Sequence, residues 1–316
     1  MCCLFGIFDH SNALPYAAKK YILKVLSEEC EVRGTDATGI SYNSHGTMKI
    51  YKRPVEASKL RLHPSHDAKV IMGHTRMTTK GNERRNYNNH PFIGYVGGVT
   101  FSLAHNGVLY NDEMLRKAYG LPDTKIETDS YIAVQLIEEA GKLDMDSVQQ
   151  MAEAVHGTFC FTILSSKNEM YLVKGNNPLE MYDCGGYYIY ASTDEILQNV
   201  FKRLRITGQK HIELKSETIT QIHADGSMEA RAFSMYDDME EYCFGSNYHF
   251  NFPEVSDDSQ IEQLMEYASF FGIDEEDILL LYDYGFDEAE IEELLYDPIA
   301  MQDIISEYRI FDKRMG

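Results

Sequence analysis

Met1-Cys2-Cys3-Leu4-Phe5-Gly6-Ile7-Phe8 opens the chain, and apolar residues begin almost at its first position. Leu4–Phe8 is predicted as a buried strand. It is too short for a signal peptide, has no basic segment before it, and runs straight into Asp9 and His10. The residue before the strand matters as much as the strand. A small second residue lets an initiator methionine be cleaved, and cleavage would give Cys2 both a thiol and a free α-amine. An α-amine has an unperturbed pKa of about 7.7–8.0, so it can serve as a base near neutral pH. One residue would then supply nucleophile and base. Taken alone, a Met-Cys start is ordinarily an accident of sequence.

Outward from this strand, Ala17–Cys30 carries Tyr21, Ile22, Val25 and Leu26 at helical spacing. Strands are expected at Gly39–Asn43, Met48–Lys52, Val70–His74 and Tyr95–His105. Helices are expected at Thr128–Ala140 and Ser147–Val155. Further strands are expected at Thr158–Leu164, Met170–Val173 and Tyr187–Ala191, then a helix over Asp194–Leu204. A strand pair near Ile212–Leu214 and Thr218–His223 would close the body. Helices come in pairs between runs of strands, which favours stacked sheets with helices outside over a doubly wound parallel sheet.

Charge divides the 316 residues into two parts. Asp237 to Gly316 holds 23 acidic and 3 basic residues, whereas the rest holds 27 acidic and 26 basic. The expected organisation is a body over 1–235, a linker over 236–256 and an acidic helical region over 257–316. Helices in that region are expected at Asp258–Phe271, Glu275–Tyr284, Glu288–Tyr296 and Ile299–Tyr308. Such a tail repels nucleic acid and anionic membranes, so neither is expected as a partner. No run of about 18 apolar residues occurs, so no membrane span is expected, and a cytoplasmic location is the default. The six cysteines have no metal-ligand spacing apart from the adjacent Cys2–Cys3, and are expected to be mostly buried thiols.

Four more segments join the Cys2 start: Arg33-Gly-Thr-Asp-Ala-Thr-Gly39, Gly73-His-Thr-Arg-Met-Thr-Thr-Lys-Gly81, Asn88-Asn-His-Pro91 with His105-Asn-Gly107, and Glu127-Thr-Asp-Ser130. In this order they resemble the class II glutamine amidotransferases of the N-terminal-nucleophile hydrolase family, over roughly residues 2–235. The resemblance implies a four-layer α/β/β/α sandwich of α+β class, followed here by a small acidic all-α unit. It implies that Cys2 attacks the side-chain amide of L-glutamine and releases ammonia from a thioester. It places Asn106 and Gly107 at the oxyanion, Arg76 and Thr79 at the substrate α-carboxylate, and Asp129 at the α-ammonium, with Arg33 in support. Neither a metal nor another cofactor is implied.

Plainer readings stand beside these. Asn106-Gly107 is also a strong two-residue hairpin signal. Asp129 could be a capping acid at a helix start. His74, His90 and His105 are expected to be structural. The sequence departs from the family's usual residues at Cys3, Lys80 and Tyr131. The stretch after the body is expected to be too short for an ammonia-using domain, so the acceptor is expected on a partner protein. Two alternatives remain: an N-terminal-nucleophile hydrolase of another amide, or a non-catalytic glutamine-binding interaction protein. Within the tail, Tyr284–Leu295 faintly resembles ubiquitin-associated-type helical domains, and a small acidic bundle is the plainer reading.

Overall fold

The structure is a computed structural model that describes residues 2–235 and 273–283, together with positions 291, 301, 304, 305 and 309. By its contacts the chain divides into two compact units, Met1–Glu240 and Glu241–Gly316.

In the first unit two antiparallel sheets carry the fold. The first has seven strands: β1 (Cys3–Phe8), β2 (Ala37–Ser44), β3 (Thr47–Arg53), β4 (Val70–Arg76), β9 (Glu180–Asp183), β10 (Tyr188–Ala191) and β11 (Lys210–Ile212), ordered β11-β9-β10-β1-β4-β2-β3. The second has six: β5 (Phe92–Val96), β6 (Val99–Leu109), β7 (Gly157–Ser165), β8 (Met170–Lys174), β12 (Thr218–Ile222) and β13 (Met228–Ala232), ordered β13-β12-β8-β7-β6-β5.

The side-chain alternation of β1 explains the layering. Leu4 and Phe8 belong to a cluster shared with Val70 and Met72 of the first sheet and Ala104, Leu164 and Leu172 of the second. Cys3, Phe5 and Ile7 point the other way. They pack with Ile22, Leu23 and Leu26 of α1 (Tyr16–Glu29) and Leu197, Val200 and Phe201 of α5 (Asp194–Leu204). The far face of the second sheet buries Leu103, Phe161 and Val173 under α3 (Tyr131–Glu139) and α4 (Met145–Ala154). The order of layers is therefore helices, sheet, sheet, helices, as expected. A strand buried on both faces must be apolar at every position, which is why the opening run lacks polar alternation. A short helix α2 (Asp112–Ala118) lies between β6 and α3 in sequence.

Two buried interactions fix α1 to the end of β1. Lys19 pairs with Asp9 at 3.0 Å and donates to the Ala68 carbonyl at 2.7 Å. The Asp9 carboxylate also accepts from the Ala13 amide at 2.7 Å. At α4, Asp144 forms a capping box with Ser147, satisfying amides at the helix start.

Several boundaries differ from expectation. Tyr95–His105 is not one strand: Gly97 and Gly98, both at positive φ, turn the chain between β5 and β6. The strands near 212 and 218 do not pair with each other, because β11 joins β9 and β12 joins β8. α2, β9 and β13 were not anticipated.

In the second unit the described helix is α6 (Glu275–Asp283). Ile278 and Leu281 are buried on it, and Asp277 pairs with Arg309 at 2.5 Å. The expected linker and the expected helix Asp258–Phe271 lie outside the described residues; within the expected Glu288–Tyr296 and Ile299–Tyr308, the described positions 291, 301, 304 and 305 are helical.

Candidate active site

Strand register places the thiol. Cys3 pairs with Thr75 across β1 and β4, so Cys2 emerges beside Arg76 at the end of β4. The Cys2 Sγ donates to the Met77 carbonyl at 3.4 Å. Arg33 Nε donates to the Cys2 carbonyl at 3.0 Å from the 3-10 turn Cys30–Arg33 that follows α1. Burial pushes the Cys2 thiol above its ordinary pKa, with Arg76 opposing the shift and Asp129 adding to it.

A recess at this point is lined by Cys2, Arg76, Thr79, Lys80, Gly107 and Asp129, with Met77, His90, His105, Thr128 and Ser130 completing it. Its volume is about 10 Å³, room for roughly one water. Arg76 is buried. It donates to Asn89 Oδ1 at 2.7 Å, the Lys80 carbonyl at 2.6 Å and the Gly81 carbonyl at 3.3 Å. Burial lowers its pKa, and the Cys2 and Asp129 charges oppose that shift. A guanidinium has five donors, so N–H groups remain for a further acceptor. Asp129 is buried and accepts from the Leu109 amide at 2.6 Å. Thr79 is exposed on the rim.

The second sheet supplies the opposite wall. Asn106 is paired with Cys160 and Gly107 with Phe159 inside β6, so Asn106-Gly107 is not a hairpin turn. The turn is Gly97-Gly98. Gly107 has φ +145°, and a Cβ there would meet the Thr158 carbonyl at 1.8 Å, so only glycine fits. The Asn106 side chain is buried, and both its amide oxygen and nitrogen lack partners among the described residues. Unpartnered buried amide groups are costly and call for a ligand. Asp129 is not a side-chain helix cap either: α3 starts after Ser130 with no side-chain cap, and one oxygen of the Asp129 carboxylate accepts from β6 while the other keeps acceptor capacity.

Three buried histidines join the sheets beneath the recess. His74 of β4 donates from Nε2 to the His105 carbonyl of β6 at 2.9 Å and lies 4.2 Å from the His90 ring. His105 Nδ1 hydrogen-bonds Ser130 Oγ at 2.8 Å. Burial holds all three rings neutral, pushing His74 to about 3 and His90 well below the usual range. Among the described residues no group of His, Cys, Asp or Glu could hold a metal ion.

All seven residues singled out from sequence can thus be located: Cys2, Arg76, Thr79, Gly107 and Asp129 line one recess, Asn106 adjoins it on β6, and Arg33 supports Cys2 from outside. Sequence reasoning gave no role to Asp36, whose carboxylate accepts from the Thr78 amide at 2.7 Å. Nor did it give one to Asn89, which orients Arg76, or to the ion pair of Lys80 with Asp112 at 3.1 Å. Asp36 and Asn89 sat inside quoted motifs and could have been found there. Asp112 lies in none.

A family model described as "Glutamine amidotransferase domain" matches residues 61–259. The chain is 30% identical over 243 residues to a glutamine–fructose-6-phosphate aminotransferase (isomerizing) of Staphylococcus epidermidis, covering 73% of this chain and 39% of that one. It is 28% identical over 249 residues to the enzyme of that name from Bacillus cereus, with 73% and 40% coverage. The chain therefore spans about two fifths of the length of these curated relatives. Two solved structures share the fold. One is the glutamine phosphoribosylpyrophosphate amidotransferase of B. subtilis complexed with ADP and GMP, with TM-score 0.57, 22% identity and coverage of 74% and 50%. The other is described as the allosteric regulatory enzyme of purine biosynthesis, with TM-score 0.59, 21% identity and coverage of 74% and 49%.

Proposed function

Because the chain belongs to the class II glutamine amidotransferase family, we propose that it hydrolyses the side-chain amide of L-glutamine through Cys2 and delivers the ammonia to an acceptor on a partner protein. The observation that carries this reading is the convergence of a thiol, a buried guanidinium and a buried carboxylate on one recess. A free α-amino acid offers a carboxylate and an ammonium at one end and an amide at the other. Arg76 and Asp129 complement the first two, and Cys2 meets the third. An amide without an amino-acid head has no use for both charges, which weighs against hydrolysis of another amide.

In this mechanism removal of Met1 frees the Cys2 amine to take the thiol proton. The amine is needed, because burial holds the thiol protonated at neutral pH. The sulfur attacks the amide carbon and forms a tetrahedral oxyanion, which Asn106 and the Gly107 amide stabilise. Collapse expels ammonia with the transferred proton and leaves a glutamyl thioester. Water then attacks the thioester through a second oxyanion, releasing glutamate and restoring the thiol. A recess of about 10 Å³ is smaller than glutamine, so binding requires part of its lining to move. The Lys80 and Gly81 carbonyls both accept from Nη2 of Arg76, which leaves its remaining N–H groups for an incoming carboxylate.

Intact mass after incubation with the glutamine-mimicking electrophile diazo-oxo-norleucine tests the reading. The expected result is loss of Met1 and one adduct, absent in Cys2→Ala together with ammonia release. Undiminished ammonia release by Cys2→Ala would overturn the mechanism. A processed protein that binds glutamine without releasing ammonia would favour the interaction protein instead.

A further inference from the structure

A second cavity, much larger than the Cys2 recess, lies away from it. It has a volume of about 600 Å³, within the range of small-molecule sites. One wall is a single face of α1, formed by Ala17, Lys20, Tyr21, Lys24 and Glu28 at helical spacing. The other is the connecting segment Ala57–His63, which contributes Leu60, Arg61 and Leu62. The cavity is thus part apolar and part cationic. Lys20 and Arg61 have no ion-pair partner among the described residues. The only carboxylate in the lining among the described residues, Glu28, is already engaged by Arg203 at 2.8 Å and Lys24 at 3.4 Å. Tyr21 is 57% exposed and lines the space. On a chain of net charge −21, a concave site with surplus cations selects for an anion.

We infer that this cavity is a second binding site for a small phosphorylated metabolite with a ring-bearing body, of nucleoside-monophosphate type. Lys20 and Arg61 take the phosphate, and Tyr21, Leu60 and Leu62 take the ring. Arginine suits the phosphate because its planar fork binds two oxygens at once. The site also has a physical route to the nucleophile. Glu31 accepts from the Ser58 amide, tying the cavity's second wall to the turn Cys30–Arg33. Arg33 of the same turn holds the Cys2 carbonyl. A ligand that shifts the 57–63 wall therefore acts on a turn that contacts the catalytic residue.

Calorimetric titration of the full chain with adenosine 5′-monophosphate, and separately with inorganic phosphate, tests this. The expected result is saturable binding of the nucleotide with Kd below about 1 mM. Binding should weaken as salt rises, fall at least tenfold in Lys20→Glu and in Arg61→Glu, and be unchanged in Cys2→Ala. Lys20 is half-buried and Arg61 exposed, and a thermal melt of each variant without ligand verifies folding. Absence of saturable binding, or binding that both reversals leave intact, would overturn the proposal. Phosphate binding as tight as that of the nucleotide would overturn the ring-bearing class. Loss of binding in Cys2→Ala would move the site to the recess. None of these readouts depends on glutaminase activity, so failure here is separable from failure of the proposed function.

Discussion

Asn106 carries two buried polar atoms with no partner among the described residues, next in sequence to Gly107, which lines the recess that holds the thiol. A residue kept for stability would not leave its amide unpaired, because desolvation of such groups costs about 1–3 kcal/mol. Asn106→Ala should therefore leave stability unchanged or raised while lowering kcat by about 10²–10³, the cost of one oxyanion donor, with KM little altered. Urea denaturation and steady-state ammonia release on one preparation check both halves. A loss of stability with kcat intact would make Asn106 a structural residue of β6. The sequence led here by family motif, while its local signal pointed elsewhere. Asn-Gly ordinarily reads as a turn because both residues tolerate positive φ. At Gly107 the same tolerance serves the close approach of the Thr158 carbonyl within a continuous strand.

At the scale of elements, the sequence made visible whatever is buried by a regular period. α1, α5, β2, β3, β7 and β8 lie within a few residues of their expected bounds, since each packs apolar side chains on a defined core cluster, β7 and β8 on one cluster at each face. It missed β9 and β13. These are short edge-side strands: β13 is mostly exposed, so little apolar pattern marks it. Nor could it foresee that His74, His90 and His105 form one neutral cluster, because β4, the segment before β5, and β6 meet only in three dimensions. That cluster has a consequence for pH. An unfolded histidine titrates near 6.5, whereas His74 in the fold stays neutral until about 3. Its folded pKa is depressed, so between these values the unfolded chain binds more protons and stability falls as pH falls. The loss approaches about 1.4 kcal/mol per pH unit for each such ring, fully absent above pH 6.5 and growing below it. Urea midpoints at pH 7.5 and 5.5 should show this fall, and His90→Gln should reduce its slope. A flat profile would mean that the rings take protons in the folded state.

For the whole molecule, charge is the property that differs most along the chain. Residues 237–316 carry a net charge of −20 and the remainder −1, and the compact units divide close to the same place, after Glu240. All the residues to which catalysis is assigned lie before that division. The residues beyond it carry a net negative charge that would steer a basic partner, an attraction reduced by salt because the Debye length shrinks to about 8 Å at physiological ionic strength. We therefore expect a chain truncated after Glu240 to fold and to keep basal glutamine hydrolysis, while losing association with the protein that accepts the ammonia. The measurements are the thermal midpoint and ammonia release of the truncated and full chains, with partner capture from the native host at two salt concentrations. Capture by the full chain should weaken as salt rises, and capture by the truncated chain should be absent at both. A truncated chain that fails to fold, or folds without releasing ammonia, would show that the acidic region belongs to the catalytic body. Salt-insensitive capture would show that apolar contact, and not charge, holds the partner.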